Sequence, residues 1–465
     1  MSNEAPGLPE AAASLAPARL SRGTIARYAT GSLGTGGFAT LPGLVLTYYL
    51  TDSLGVAALA AGLVIVLAKV WDVVIDPVIG ALTDRDLARH GTRRRLMLVG
   101  ACSLPVLFAL TFAVPPAVGP AVAAIWVFLA FTLTATAFSL FQVPYIALPA
   151  ELTPDYDERT RLLTWRVVVL TLAILLFGAG GPALRRTSDD PVTGYLVMGV
   201  VAGVVIALGM LVATTVARRA RATARTDSPE ATPSIREHFS EGIRSLRRSA
   251  PFRALLSTFV LQALATGLML AGAQYVATWV LHSEAAVELL FVALIAPALF
   301  AAPAWGVVAR RIGKERAFAI ASVVFGLAAL SILGVLWAPG DWIYAPVAVA
   351  GIAYAGMQSL PMAMLPDVIS HDERTNGPGR AGAFSGVWTA GETVGFALGA
   401  TTLSLILAAT GYVSSTAGET VVQPDAAITG IVVSFSLAPA VLIAISLLAL
   451  RRYPLRRGDI QSQQA

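Results

Sequence analysis

The sequence predicts an all-α membrane protein with twelve transmembrane helices in two six-helix bundles, and three observations carry that expectation. The 465 residues are 56% apolar and only 13% charged. Their mean hydropathy of +0.71 is too high for a soluble globule. Apolar runs of about 20 residues or more, each long enough to cross roughly 30 Å of hydrocarbon, recur twelve times along the chain. Basic residues gather in every second connection between those runs.

In chain order the runs fall near 26–50, 54–82, 96–114, 120–148, 164–184, 192–217, 252–281, 285–309, 317–337, 342–365, 381–408 and 426–450. The second ends in Arg85, Arg89 and Arg93 to Arg95, the sixth in Arg218, Arg219, Arg221 and Arg225, and the eighth in Arg310, Arg311, Lys314 and Arg316. The alternate loops are short and nearly free of cations, such as Thr51 to Ser53 and Pro339 to Asp341. Cytoplasmic loops carry the excess of Lys and Arg, so both termini are expected inside a cell membrane. Arg185 and Arg186 depart from this pattern by falling in an outer loop. The chain then divides into a tail at 1–25, a first bundle at 26–217, a cytoplasmic linker at 218–250, a second bundle at 251–450 and a tail at 451–465. Within the linker, Ser234 to Glu237 reads as a capping box opening an amphipathic helix to about Arg248. The polar start, Met1 to Pro17, lacks the apolar stretch of a cleaved signal peptide. The single Cys102 excludes an internal disulfide and reads as a small core residue.

The second run contains Lys69, Asp72 and Asp76, spaced i, i+3, i+7, so that all three face one way on a helix. Each ionised group near the bilayer centre costs roughly 2.5–3.5 kcal/mol on insertion scales, so such a stripe needs a polar interior. One lysine balances one aspartate. The remaining carboxylate must take a proton or recruit a cation, which makes Asp72 and Asp76 a candidate site for H⁺ or Na⁺. Sodium would require further oxygens, from Gln142 or threonines, and the sequence leaves both ions open. A structural ion pair of these acids with Lys69 or Arg166 is the competing reading. Gln142 can donate and accept hydrogen bonds to a solute, or serve as a helix-to-helix bond beside Pro144. Trp71, Tyr145, Trp165, Tyr275 and Trp388 are candidates for stacking on a solute, although most aromatics in such a chain are packing residues. Glu392, alone in an apolar helix, is expected to exchange a proton or to pair with Lys69. Asp84, Arg85 and Arg93 are expected to form a gating charge network, because anchoring alone explains the arginines but not the acid. Pro77 and Gly80 are expected to bend the helix beside the acids.

The two halves repeat each other. Gln142, Pro144 and Pro149, followed by Asp157 to Thr160, are echoed by Gln358, Pro361 and Pro366, followed by Asp372 to Thr375. Gly80 to Arg85 after the second run is echoed by Gly306 to Arg311 after the eighth. Equivalent loops on one side of the membrane imply a parallel repeat about an axis along the membrane normal, with a solute site between the halves.

These residues resemble the major facilitator superfamily, whose loop signature matches Gly80 to Arg95. More narrowly, Lys69, Trp71, Asp72, Asp76, Pro77 and Gly80, together with the string from Pro144 to Thr160, resemble the glycoside-pentoside-hexuronide cation symporter family, which includes the melibiose carrier. The resemblance implies the major facilitator fold and assigns cation binding to Asp72 and Asp76. It also places Lys69 and Arg166 at basic positions of the family. There are three departures. The stretch Gly34 to Phe38 has no acid where the melibiose carrier has a sugar-binding aspartate, Gln142 replaces a second acid, and Glu392 stands where many relatives have a lysine.

The expectation is therefore a cation-coupled symporter of a small organic solute, a sugar or glycoside by resemblance, with Gln142, Tyr145, Arg166 and Trp388 in its solute site. A lysolipid or other amphipathic cargo is the alternative, favoured by the apolar first helix. An intramembrane enzyme is disfavoured: the chain has no H-E-x-x-H or G-x-S-x-G pattern, and His90, His238, His282 and His371 are expected in loops or the linker. A non-transporting receptor is disfavoured by the retained acids. The basic residues are spread along one membrane face without a nucleic-acid-binding motif. A monomer is expected, with no cofactor beyond the coupling ion.

Overall fold

The computed structural model describes residues 19–455 except 116, 154, 218–247, 377–380 and 420. The expected linker helix from Ser234 falls outside these residues, as do most of the two tails. The first span is built of α1 (Arg22–Thr30) and α2 (Ser32–Asp52), joined at Gly31. The rest of the first half is α3 (Ala58–His90), α4 (Arg94–Thr111), α5 (Pro120–Leu152), α6 (Tyr156–Arg185) and α7 (Pro191–Ala217). The second half comprises α8 (Ala250–Tyr275), α9 (Ala286–Ile312), α10 (Lys314–Ser331), α11 (Tyr344–Asn376) and α12 (Ala381–Ala409). Its last span is divided at Ser436 into α13 (Asp425–Phe435) and α14 (Leu437–Leu450).

Eleven of the spans are long and apolar enough to cross a membrane by length and composition. The span formed by α1 and α2 is not among them, because glycine and threonine dilute its hydropathy, yet it packs among the others against α6, α7 and α8. Gly31 is required at its joint, since a Cβ there would lie 2.6 Å from the Tyr145 ring. Ser21 caps α1 by accepting a hydrogen bond from the Thr24 N–H. The helices overrun the apolar stretches at the end of the bundle that bears the chain termini. There α3 reaches His90, α5 reaches Leu152 and α11 reaches Asn376. Hydropathy marks only the part a helix immerses in lipid, whereas backbone hydrogen bonding continues into the headgroup region until a cap intervenes. At α3 that cap is Gly91, in the left-handed conformation at φ 66°.

Two expectations change. Cys102 is exposed on the outside of the bundle, not in its core. His90 and His371 belong to helix ends, of α3 and α11, rather than to loops.

The first half is α1 to α7 and the second α8 to α14. They meet mainly along three pairs, α3 with α12, α6 with α9 and α2 with α8, with a smaller contact of α2 with α12. These contacts gather at the end opposite the termini, here the distal end. Small residues allow the approach: positions for a Cβ on Gly62 and Gly178 are already occupied by Ser404 and the Phe291 ring of the other half.

Candidate functional site

Helix α3 places Lys69, Asp72 and Asp76 on one face, turned toward α2 and α5. Lys69 Nζ is 2.9 Å from Asp72 Oδ2. Its ammonium also sits 5.7 Å and 5.8 Å from the Phe38 and Phe131 ring centroids, where the ring faces favour a cation. Asp72 is only 9% exposed, and its other oxygen, Oδ1, is buried without a hydrogen-bond partner. Asp76 is exposed and pairs with no lysine; Ser139 of α5 is within hydrogen-bonding reach of its carboxylate. Trp71 Nε1 donates to Thr136 Oγ1 at 2.9 Å, which ties α3 to α5 just above the acids.

The lysine therefore neutralises one acid and not the other. A buried carboxylate oxygen with no donor is costly to keep. A cation or a proton would satisfy it, with Asp76 and the Ser139 hydroxyl close by, whereas sodium would need oxygens beyond these. The described residues contain no group of three or more His, Cys, Asp or Glu able to hold a metal. Any ion held here would depend on carboxylates and neutral oxygens.

Gln142 Oε1 accepts from Thr35 Oγ1 at 2.8 Å, so it joins the first span to the fourth, and it is half-buried. Tyr145 is fully enclosed. It stacks on Tyr28 at 4.6 Å, donates to the Tyr28 carbonyl at 2.9 Å and lies 3.2 Å from Ser32 Oγ. Its ring is part of the packing around the Gly31 joint and has no face open to a solute in this arrangement. Arg166 lies over the same ring at 5.4 Å, with Nε buried and unpartnered. Arg166 thus belongs with Tyr145 rather than with Asp72 or Asp76.

In the second half, Trp388 is 2% exposed and stacked on Phe259 at 4.2 Å, with its indole N–H buried and unpartnered. Glu392 does not reach Lys69, whose ammonium is taken by Asp72. The titratable group that senses its charge is Tyr354 of α11, and Gln358 Nε2 donates to Tyr354 Oη at 3.0 Å. Gln358 is the repeat counterpart of Gln142 in the sequence. Of the other aromatics considered, Trp165 is 52% exposed and Tyr275 is buried at the distal end.

At the terminus-bearing end, Arg93 Nη1 is 2.9 Å from Asp84 Oδ1, and its Nε pairs with Glu151. Burial opposes the charge on Arg93, but the hydrogen bond and charge of Glu151, then those of Asp84, outweigh it and raise its pKa. Arg85 is exposed and joins no contact of this network. Arg93 is the hub, and Glu151, which sequence reasoning gave no role, is its half-buried second acid. The repeat signals it: nine residues separate Gln142 from Glu151 and Gln358 from Asp367, and Asp367 pairs with Lys314 at 2.6 Å.

The distal end holds residues that sequence reasoning passed over. Arg185 Nη2 lies 2.9 Å from Glu284 Oε2, and Arg186 pairs with Glu288, each bond joining one half to the other. The two arginines that break the charge pattern are therefore interface residues. Beside them Tyr412 Oη donates to Asp52, Thr51 Oγ1 lies 2.6 Å from Tyr275 Oη, and Leu54 bridges to Thr416.

A family model described as MFS/sugar transport protein matches residues 27–457. The chain belongs to that family. Membership makes it a multi-pass membrane protein with the major facilitator fold. Within the family, the chain is 26% identical to the putative glycoside/cation symporter YagG of Escherichia coli (strain K12), over 90% of this chain and 88% of that one. It is 24% identical to the sodium-dependent lysophosphatidylcholine symporter 1 of Mus musculus, over 91% of this chain and 84% of that one. Among solved structures, a bacterial homologue of the human lysosomal transporter Spinster aligns with a TM-score of 0.64 at 14% identity, covering 93% of this chain and 96% of that one. That likeness supports the fold alone.

Proposed function

We propose that this protein is a cation-coupled symporter that moves a small organic solute by alternating access, with Asp72 and Asp76 binding the coupling ion. One observation carries the reading: Lys69 neutralises Asp72 through one oxygen only, leaving Asp72 Oδ1 buried and unpartnered and the Asp76 carboxylate free of an ammonium. A cation entering there lowers the cost of the uncompensated charge. If the ion favours one arrangement of the halves over the other, ion and solute move together. The halves close at the distal end, so with the termini in the cytoplasm this arrangement opens inward. Gln142 in one half and Gln358 in the other, with Glu392 near Tyr354, are the hydrogen-bonding groups this reading offers a hydroxyl-bearing solute, in keeping with a glycoside relative.

A lysolipid or other amphipathic cargo is the second reading. The named lysophosphatidylcholine relative points to it.

The test is uptake by proteoliposomes of labelled glycosides and lysolipids, with an inward Na⁺ gradient, an inward H⁺ gradient or neither. Accumulation above equilibrium with one gradient, abolished by Asp72→Asn or Asp76→Asn, is expected. Equal flux under all three conditions would exclude coupling. Binding without flux of any solute would favour a receptor.

A further inference from the structure

At the distal closure Asp52 forms no ion pair, and Arg185 acts on it only through its charge. Arg185 is committed to Glu284 at 2.9 Å and to Tyr195 Oη at 2.9 Å, and its guanidinium lies over the Tyr48 and Tyr195 rings. Arg186 is committed to Glu288. Asp52, the last residue of α2, is left with neutral donors: Thr51 Oγ1 at Oδ2 and Tyr412 Oη at Oδ1. Thr51, Tyr275 and Tyr412, which surround it, are all buried.

The titratable and charged groups facing Asp52 come from every element packed there. They are Tyr48 on its own helix, Tyr275 of α8, Tyr412 after α12, Arg185 of α6, Tyr195 of α7 and Glu284 before α9. Five of the six bring no positive charge, and the sixth is already paired. Moreover, the pocket exists only while the halves meet, because Tyr412 and Tyr275 belong to one half and Asp52 to the other.

We propose that Asp52 is a second proton-binding site, separate from the Asp72 and Asp76 pair, which takes up a proton when the distal end closes and releases it when the end opens. The inference rests on the alternating-access reading above. Separating the halves removes Tyr412 and Tyr275 and returns the carboxylate to water, where it is stable ionised. Closing them encloses it among phenols and threonine, where the neutral acid costs less. Proton binding and closure are then reciprocal: acid favours the closed distal end, and closure favours the proton. A single proton changes the closed-to-open ratio by at most about tenfold per pH unit.

The experiment measures the distance between spin labels at Asp189→Cys and Ser283→Cys, which lie on opposite halves of the distal end. It uses the purified full chain in detergent on a Cys102→Ser background. The short distance is expected to dominate at acidic pH and to give way to a longer one as pH rises. Asp52→Asn should hold the short distance at every pH. Asp72→Asn combined with Asp76→Asn should retain the pH response, which separates this site from the coupling pair. Should Asp52→Asn fail to fold, Tyr412→Phe serves: loss of the donor that supports the ionised carboxylate should move the transition to higher pH. A distance that ignores pH in the parent, a response that survives Asp52→Asn, or an unmoved transition in Tyr412→Phe would each overturn the proposal. Gradient-driven uptake with no pH-dependent distance would overturn this proposal and leave the symporter reading standing.

Discussion

Asp72 and Asp76 differ although they share one helix face. Asp72 has a lysine on one oxygen and nothing on the other, while Asp76 is exposed and meets only a hydroxyl. Removing either charge should end gradient-driven accumulation with folding retained, so Asp72→Asn and Asp76→Asn are expected to give equilibrating or no uptake in proteoliposomes. Asp72→Asn carries the further expectation that Lys69, deprived of its partner, lowers thermal stability, because a half-buried ammonium is costlier unpaired than paired. Arg166 and Arg161 offer a contrast. Arg161 reaches Glu158 at 3.3 Å near the terminus-bearing end, whereas Arg166 covers the Tyr145 ring with a buried Nε. Arg166→Ala should therefore reduce uptake at matched expression by tenfold or more, about 1.4 kcal/mol, and Arg161→Ala should change it little. Glu392→Gln should alter the pH dependence of transport more than expression, measured as the uptake rate between pH 5 and 8. A flat comparison with the parent would remove Glu392 from the mechanism. At this scale the sequence identified the residue types but not all of their partners. The i, i+3, i+7 spacing brings Lys69 and Asp72 together, whereas pairing Glu392 with Lys69 required two helices to meet at a depth that spacing does not encode.

Helices in this bundle are brought together by glycines at crossings. Gly351 of α11 is set against the Leu294 carbonyl of α9, so that a Cβ there would collide with backbone that has no freedom to move. Gly351→Ala is expected to destabilise the second half by on the order of 1–3 kcal/mol, as overpacking does, seen as a lower melting temperature in detergent with coupling unchanged in the surviving protein. Gly31 works differently, because its neighbour is the Tyr145 ring and the adjustment would fall on the stacked pair with Tyr28. The helices themselves were legible from hydropathy to within a turn or two at the distal end. At the terminus-bearing end α3, α5 and α11 run about one to three turns beyond the apolar stretch, because backbone hydrogen bonding does not stop where the lipid does. The first span was legible as an apolar run, but its division at Gly31 follows from the close approach of Tyr145.

The contacts between the two halves gather at one end, which suits an interface that must open. Gly178 of α6 meets the Phe291 ring across that interface. Gly178→Ala should wedge the halves apart, and reaction of a distal Ser283→Cys with a bulky thiol reagent is expected to be faster than in the glycine parent; an unchanged rate would show that the ring simply turns aside. Arg185→Ala should act in the same direction by freeing Glu284, with an effect that shrinks as salt rises and screens the pair. By itself the sequence determined the membrane class, the number of runs, the internal repeat and the stripe on α3, because each is written in short-range periodicity and composition. It also held the two arginines out of their charge pattern, without saying what they answered. Only the tertiary structure decided that these arginines bridge the halves, that Asp52 is enclosed by tyrosines of the other half, and that Tyr145 is packing rather than surface. Each of these depends on which helices approach one another and at what depth, a property of some four hundred residues folding together that no local pattern carries.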